Sequence, residues 1–480
     1  MISLVSSLFF AVWENTVQGY EQKLLEHVAG TRFEDLDSAA IKACKTFIFD
    51  SIGVGISGSR LPLAASLLET ASNWGGAQDG AVATVWGSGL KLPVPSAAMV
   101  NAYQIHNQEF DCVHEHAVVH PMAVILSAIL ADAEARQVSG AELMLAVVLA
   151  VDVATILGMS ADQPMRFFRP GTAGCIGAAA GLARLRGYSK EKILQAMSIA
   201  YSQTGGTMQA HREGVAVLPM QAAFNARNAV TAADMAGFGL VGPGQFLSGE
   251  FGYFSIMESA GNAPEAFALL GREWQIGRIS HKPFPTGRAA HGTLDALMQL
   301  QAQHGFSAAD IDSVSIEAPP LVRRLVDRPV LPSMGVNYAK LCIGYVAATL
   351  LLTGDVGVAD FDEAPLADAH RLSLAERIRM RPSACDDPNA LAPQAVTVRL
   401  HSGVEYHKEM LAILGHPDSP LGRERQTEKF IRCLASARYP MDSDAAHRIL
   451  TQVDQLDRLA CVTQLTELLT PELQLDHAIC

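Results

Sequence analysis

A chain of 480 residues is longer than one hydrophobic core usually serves, so two or three domains are expected. Hydrophobic residues make up 49% and charged ones 18%, which excludes a disordered chain. Thirty-six Lys+Arg against 49 Asp+Glu leave a net charge of −13. Without a basic face, neither nucleic acid nor a membrane surface is expected as a partner.

In chain order, residues 1–12 are apolar, but no basic residue precedes the run, so a docked N-terminal segment is expected rather than an export signal. Helical patterns follow at residues 38–55, with Ser38 as the cap, and at 94–106, 120–136, 141–158, 172–187, 190–202 and 222–237. The most apolar window, 143–157, carries Asp152 and falls short of the ~20 residues a bilayer crossing needs, so it reads as a helix buried on all sides. Small residues at this density let helices approach closely.

Near residue 265 the texture changes. Residues 313–318, 395–400 and 404–410 alternate as strands, the last two joined as a hairpin across Ser402-Gly403. Helical patterns lie between at 294–304, 339–353 and 372–379, and amphipathic helices return at 428–436 and 444–468. The expected fold is therefore mainly α. A large all-α helical domain is built from both chain ends (1–265 and 412–480), with a smaller α+β lid domain inserted at 266–411. The eight cysteines show no CxxC and no zinc spacing, and read as reduced thiols of a cytoplasmic protein.

Four segments carry chemistry. The densest holds His106, Glu109, Asp111, His114, Glu115, His116 and His120, so four of the chain's 15 histidines lie between positions 106 and 120. Imidazoles and carboxylates buried together tune one another for acid/base work. An exposed polar loop is the plainer alternative. A metal site of His114, His116 and His120 with Glu109 is another, since the ligand types fit although an HxH spacing is a weak signal.

The second segment, Arg166-Phe167-Phe168-Arg169-Pro170-Gly171-Thr172-Ala173-Gly174, precedes a helix. Its glycines allow backbone to approach a ligand and Thr172 offers a donor; close helix packing at Gly174 and Gly177 is the alternative. The third runs from Lys282-Pro283-Phe284-Pro285 through Arg288 to His291. Its prolines hold an extended approach, and His291 opens a helix, whose N-terminus favours an anion and lowers the pKa of an imidazole. Arg288 has the fork to clamp a carboxylate, while a solvent-facing His291 is the alternative. In the fourth, Lys340 and Tyr345 interrupt an apolar helix, and a buried tyrosine with a satisfied hydroxyl competes with a functional one. No GxGxxG after a strand, GxxxxGK[ST] or GxSxG motif is present, so neither a nucleotide nor a serine nucleophile is expected.

These four segments in this order resemble the MmgE/PrpD family, which includes 2-methylcitrate dehydratase, cis-aconitate decarboxylase and iminodisuccinate epimerase. The resemblance also runs through Phe49-Asp50-Ser51-Ile52-Gly53, Asn225-Ala226-Arg227-Asn228, Tyr345-Val346-Ala347 and Gly415-His416-Pro417. It implies a cofactor-free homodimer with its active site between the helical domain and the lid, acting on a small di- or tricarboxylate. The family's catalytic positions fall here on Glu109, Asp111, His120, His291 and Tyr345. Where the family has a KPxH run this chain has Leu218-Pro219-Met220-Gln221, so Leu218 replaces a lysine and Gln221 a histidine. Arg169 stands where the family has a histidine before proline.

On this basis His120 is expected as the base, Glu109 or Asp111 as its orienting carboxylate, and His291 as the acid. Arg169, Lys282 and Arg288 are expected to bind carboxylates. Thr172, Arg212, His106, His114, His116, Gln221 and Lys340 complete the expected substrate-binding set. The activity implied is that of a dehydratase or decarboxylase. A dicarboxylate epimerase or isomerase is the alternative, as is a metal-dependent hydro-lyase using His114, His116 and His120. In so acidic a chain the attraction for a polyanion must be local. Arg166, Arg169, Arg212, Lys282 and Arg288 are therefore expected to form a basic pocket.

Overall fold

The computed structural model describes residues 19–75 and 80–471; the apolar segment 1–12 and Cys480 lie outside them. The helices of the first half fall close to the expected bounds: Ser38–Gly58, Val94–His106, Pro121–Arg136, Gly140–Met159, Arg169–Leu185, Lys190–Gln203 and Val217–Gly237. The cap of the first of these is Asp37 rather than Ser38, its carboxylate accepting the Ala40 amide at 2.7 Å. Gly140–Met159 is long and apolar enough to cross a membrane, but 94% of its most apolar window is buried inside the protein.

Glycine explains how these helices pack. A Cβ at Gly177 would stand 2.4 Å from the Ala150 carbonyl oxygen, and one at Gly181 would stand 2.6 Å from that of Ala146. Arg169–Leu185 thus lies backbone against backbone on Gly140–Met159, an approach no larger residue allows.

Two large apolar cores result, beside a small cluster of Val54, Phe110 and Cys433. The first joins Leu24 through Ile279 with Phe430 through Leu469, so both ends of the chain contribute to it. The Phe430 ring stacks on Phe49 at 3.9 Å between centroids, fastening the C-terminal helix Arg423–Ala435 onto Ser38–Gly58. The second core runs from Phe284 to Ile413 and, from earlier in the chain, includes Val118 and Met165, with half-buried Met208 packed against it. It packs the helices His291–His304 and Ile343–Thr353 near a four-stranded sheet. The sheet order is Ile378–Pro382, Ile311–Ala318, Gln394–Leu400, Glu405–Met410; the first pair is parallel and the others antiparallel.

The hairpin turns at Ser402-Gly403, where Gly403 takes a φ of 85° that favours glycine. The parallel edge strand corrects the sequence expectation of a helix over 372–379. The helix there is Ala369–Ala375, and the chain then extends to pair beside Ile311–Ala318. An edge strand with one buried residue in five shows little period-two alternation, so its pattern merges with that of the helix before it. The C-terminal pattern over 444–468 is likewise broken, into Ser443–Asp454 and shorter turns.

Candidate active site

The first chemical segment leaves the end of Val94–His106, loops through Glu109 and Asp111, and re-enters a helix with His120 at the N-cap of Pro121–Arg136. Glu109 adopts a left-handed φ of 52°, uncommon for a residue with a side chain. Three long-range contacts hold the loop in that form. Val113–His114 pairs antiparallel with Ile279–Ser280, bringing Lys282 alongside. Lys282 Nζ donates to the Glu109 carbonyl at 3.1 Å and to Glu109 Oε2 at 3.0 Å. From the C-terminal helix, Lys429 Nζ donates to Asp50 Oδ1 at 2.6 Å and to the Phe110 carbonyl at 3.0 Å.

Asp111 is fully buried between two imidazoles. Its Oδ2 lies 3.0 Å from His106 Nδ1 and 3.3 Å from His120 Nδ1, and Lys282 Nζ is 3.9 Å from its Oδ1. Burial alone would raise the Asp111 pKa; the two histidines outweigh it and hold the carboxylate well below its ordinary range. Glu109 is likewise opposed by burial yet lowered to about 2, chiefly by Lys282.

The two histidines diverge. Burial pushes His106 down, but Asp111 and Glu109 overcome this and raise it above 6.5. For His120, burial and the nearby Lys282 prevail over Asp111, and its pKa is lowered. The result is two imidazoles of divergent proton affinity on a shared carboxylate. Both rings line a cavity with Glu109, Phe168 and Met208, closed from the second part of the chain by Gly287, Arg288, Ala289, Leu325, Leu341 and Leu391.

Other expected site residues are occupied elsewhere. Arg169 is completely buried and pairs bidentately with Glu258 at 2.9 and 3.0 Å, its third contact going to the Ala117 carbonyl. Arg288 borders the cavity, but it holds Glu115 through Nε and Nη2 at 2.9 and 2.7 Å and reaches the Leu414 carbonyl. The guanidiniums expected to grip a substrate thus serve the protein itself.

His291 is buried, with Nδ1 3.4 Å from Arg288 Nη1 and Nε2 3.3 Å from the Thr286 carbonyl. Burial and then Arg288 drive its pKa well below 6.5, which disfavours its imidazolium form. Tyr345 gives its hydroxyl to the Asp360 carbonyl at 2.6 Å within the second core. Thr172 is buried in its helix, and the neighbouring glycines answer to packing: a Cβ at Gly171 would meet Asn225 Nδ2 at 2.7 Å and one at Gly174 would meet Val124.

His114 accepts the Ala117 amide on Nδ1 and faces Gln275 Oε1 with Nε2, while His116 is exposed. The expected trio of His114, His116 and His120 is therefore not assembled. Among the described residues, the set whose donor atoms lie within 4.8 Å of one another is His106, Asp111 and His120. Its shared oxygen already lies between the two ring nitrogens.

Gln221 steadies a loop, its Oε1 accepting the Thr207 amide at 2.7 Å, and Leu218 lies in the first core. Lys340 is buried with Nζ 3.4 Å from the Asn107 carbonyl, and burial lowers its pKa to about 7 against the pull of Glu109. Of the five cations expected in one basic pocket, Arg166 and Arg212 remain exposed and line a second cleft, where Arg324 and His211 join them. Sequence reasoning passed over Arg324 and His211, since neither sits in a motif.

Burial pushes His114, His211 and His281 down to about 4 each. In an unfolded chain they would titrate near 6.5. Between those values the unfolded chain takes up protons that the folded one refuses. Their contribution is therefore complete above about pH 6.5 and is lost as pH falls toward 4. His106, raised, works oppositely: its contribution is present below about 6.5 and fades as pH rises through its folded pKa. The thermal unfolding midpoint is expected to fall steeply from about pH 6.5 to about pH 4.5. A flat calorimetric midpoint over that window would contradict the burial of these rings.

Sequence profiles of the MmgE/PrpD N-terminal and C-terminal domains match residues 22–265 and 284–457, and the chain belongs to the MmgE/PrpD family. It is similar to the cis-aconitate decarboxylase-like protein oryM of Aspergillus oryzae, with 26% identity covering 96% of this chain and 100% of that protein. It is also similar to cis-aconitate decarboxylase of Mus musculus, with 25% identity covering 92% of this chain and 91% of that protein.

Proposed function

We propose that this protein is a lyase of the dehydratase or decarboxylase kind, acting without a cofactor on a small di- or tricarboxylate by histidine acid/base catalysis. The observation that carries this reading is the Asp111 carboxylate shared by two histidines whose proton affinities are driven apart. Neighbouring titratable groups separated in this way supply a base and an acid at one pH. The family, and two relatives named as a decarboxylase and a decarboxylase-like protein, support the reaction class.

In a dehydration, neutral His120 takes the proton next to the carboxylate, the C–O bond breaks, and His106 protonates the departing hydroxide as water. In a decarboxylation, the C–C bond to the carboxylate breaks, CO2 leaves, and the electron pair left on carbon receives a proton from His106. Lys282 stabilises negative charge through the Glu109 and Asp111 network. The acid is thus His106 rather than His291.

The test is incubation with small di- and tricarboxylates, cis-aconitate and methylcitrate included, in deuterium oxide with mass detection. Release of CO2, or a new alkene lighter by one water, is the expected result. Deuterium exchange without either product would overturn the lyase in favour of an epimerase. Loss of activity with a chelator, together with a stoichiometric metal, would overturn the metal-free mechanism.

A further inference from the structure

Beside the His120 cavity lies a wider cleft whose polar lining includes Arg166, Arg212, Arg324 and Thr207. Met208, His211 and Leu325 line both spaces, so the cavity and the cleft adjoin. The walls come from both parts of the chain, and cross-contacts hold them in place. Arg324 Nη2, on the helix Pro320–Val326, donates to the Met165 carbonyl at 2.6 Å. Arg328 donates to the His211 carbonyl, and Phe167 bridges to Thr207.

The charge of this cleft sets it apart. The buried arginines 169, 186 and 288 each meet a carboxylate, on Glu258, Asp132 and Glu115. Arg166, Arg212 and Arg324 are exposed, and among the described residues none forms an ion pair with a carboxylate. In a chain with 49 acidic and 36 basic side chains, three guanidiniums gathered without a counter-charge repel one another until an anion arrives. Among the described residues, the guanidinium that lines the inner cavity is that of Arg288, which is already paired. At the junction His211 Nδ1 faces Arg328 Nη2 at 3.2 Å, so Nδ1 accepts and the ring is neutral, with Nε2–H as its donor.

We propose that this cleft is the subsite for the non-reacting carboxylate groups of the substrate, with Arg166, Arg212 and Arg324 as its specificity-determining residues and His211 as a hydrogen-bond donor at the junction. The proposal rests on the lyase reading above and sharpens it. The substrate lies extended, with its reacting carbon inward at His120 and at least one further carboxylate outward among the arginines. A monocarboxylate would leave the cleft unneutralised.

The test is calorimetric titration of the full chain with tricarballylate, a saturated tricarboxylate with neither a hydroxyl to lose nor a double bond. Arg212→Ala and Arg324→Ala should each weaken binding about tenfold, the lower end of what a hydrogen bond to a charged group contributes. The lysine variants should recover part of the loss, and added salt should weaken wild-type binding. Unchanged thermal midpoints would show that the variants fold. Wild-type affinity in the triple alanine variant overturns the subsite. If cis-aconitate or another carboxylate is still turned over in a His120-dependent way, the lyase reading survives that failure. Absence of tricarballylate binding to the wild-type chain also overturns the assignment, whether or not inorganic phosphate binds in its place.

Discussion

Replacing His120 by alanine is expected to lower kcat by about 10²–10⁴-fold, the usual contribution of a positioned general base, with the fold intact. The ring sits at an N-cap and keeps 15% of its side chain exposed, so its removal leaves no buried partner stranded except one side of Asp111. The pH profile is the more discriminating measurement. His120, lowered, must be neutral to act as base, and His106, raised, must be protonated to act as acid. The profile of kcat/KM should be a bell with its acidic limb below about 6.5 and its alkaline limb above it. Asp111 supports the charged form of both rings. Asp111→Asn should therefore move both limbs toward acid as well as reduce the rate. Limbs that stay in place would remove Asp111 from the mechanism.

Lys282→Met is expected to destabilise the protein by about 3–5 kcal/mol, because it leaves a buried carboxylate without its cation. Lys282 is completely buried, contacts Glu109 at 3.0 Å and stands 3.9 Å from Asp111. Without it the Glu109 pKa, now about 2, should rise strongly. The double variant Lys282→Met/Glu109→Gln should recover much of the stability, since no charge is then left unpaired, while activity stays low. Calorimetric midpoints with matched kinetics on all three variants decide this. Full additivity of the two stability losses would mean that Lys282 and Glu109 do not act as a pair.

Much of the candidate site is legible in the sequence because it is local. His106, Glu109, Asp111 and His120 fall in one loop between two readable helices, and their chemistry is apparent from their crowding. Lys282 was legible as part of a motif, though not as the partner of Glu109. The partners of Arg169 and Arg288 are hidden from the sequence because they stand 89 and 173 residues away, at Glu258 and Glu115. Spacing cannot show that a guanidinium is already paired. The family resemblance points to His291 as the acid, whereas burial beside Arg288 pushes its pKa well below 6.5.

The sequence by itself determined a mainly helical chain with a later α+β stretch, a cluster of histidines and carboxylates at 106–120 and a family resemblance that the profiles bear out. These follow from short-range periodicity and residue type, which act through the backbone within a few turns of chain. Only the tertiary structure shows which histidine is pushed toward its charged form, and which guanidiniums meet a carboxylate. It alone placed Arg324 beside Arg166 and Arg212. Proton affinity and charge pairing depend on burial and on neighbours within a few ångströms, and those neighbours come from distant parts of the chain.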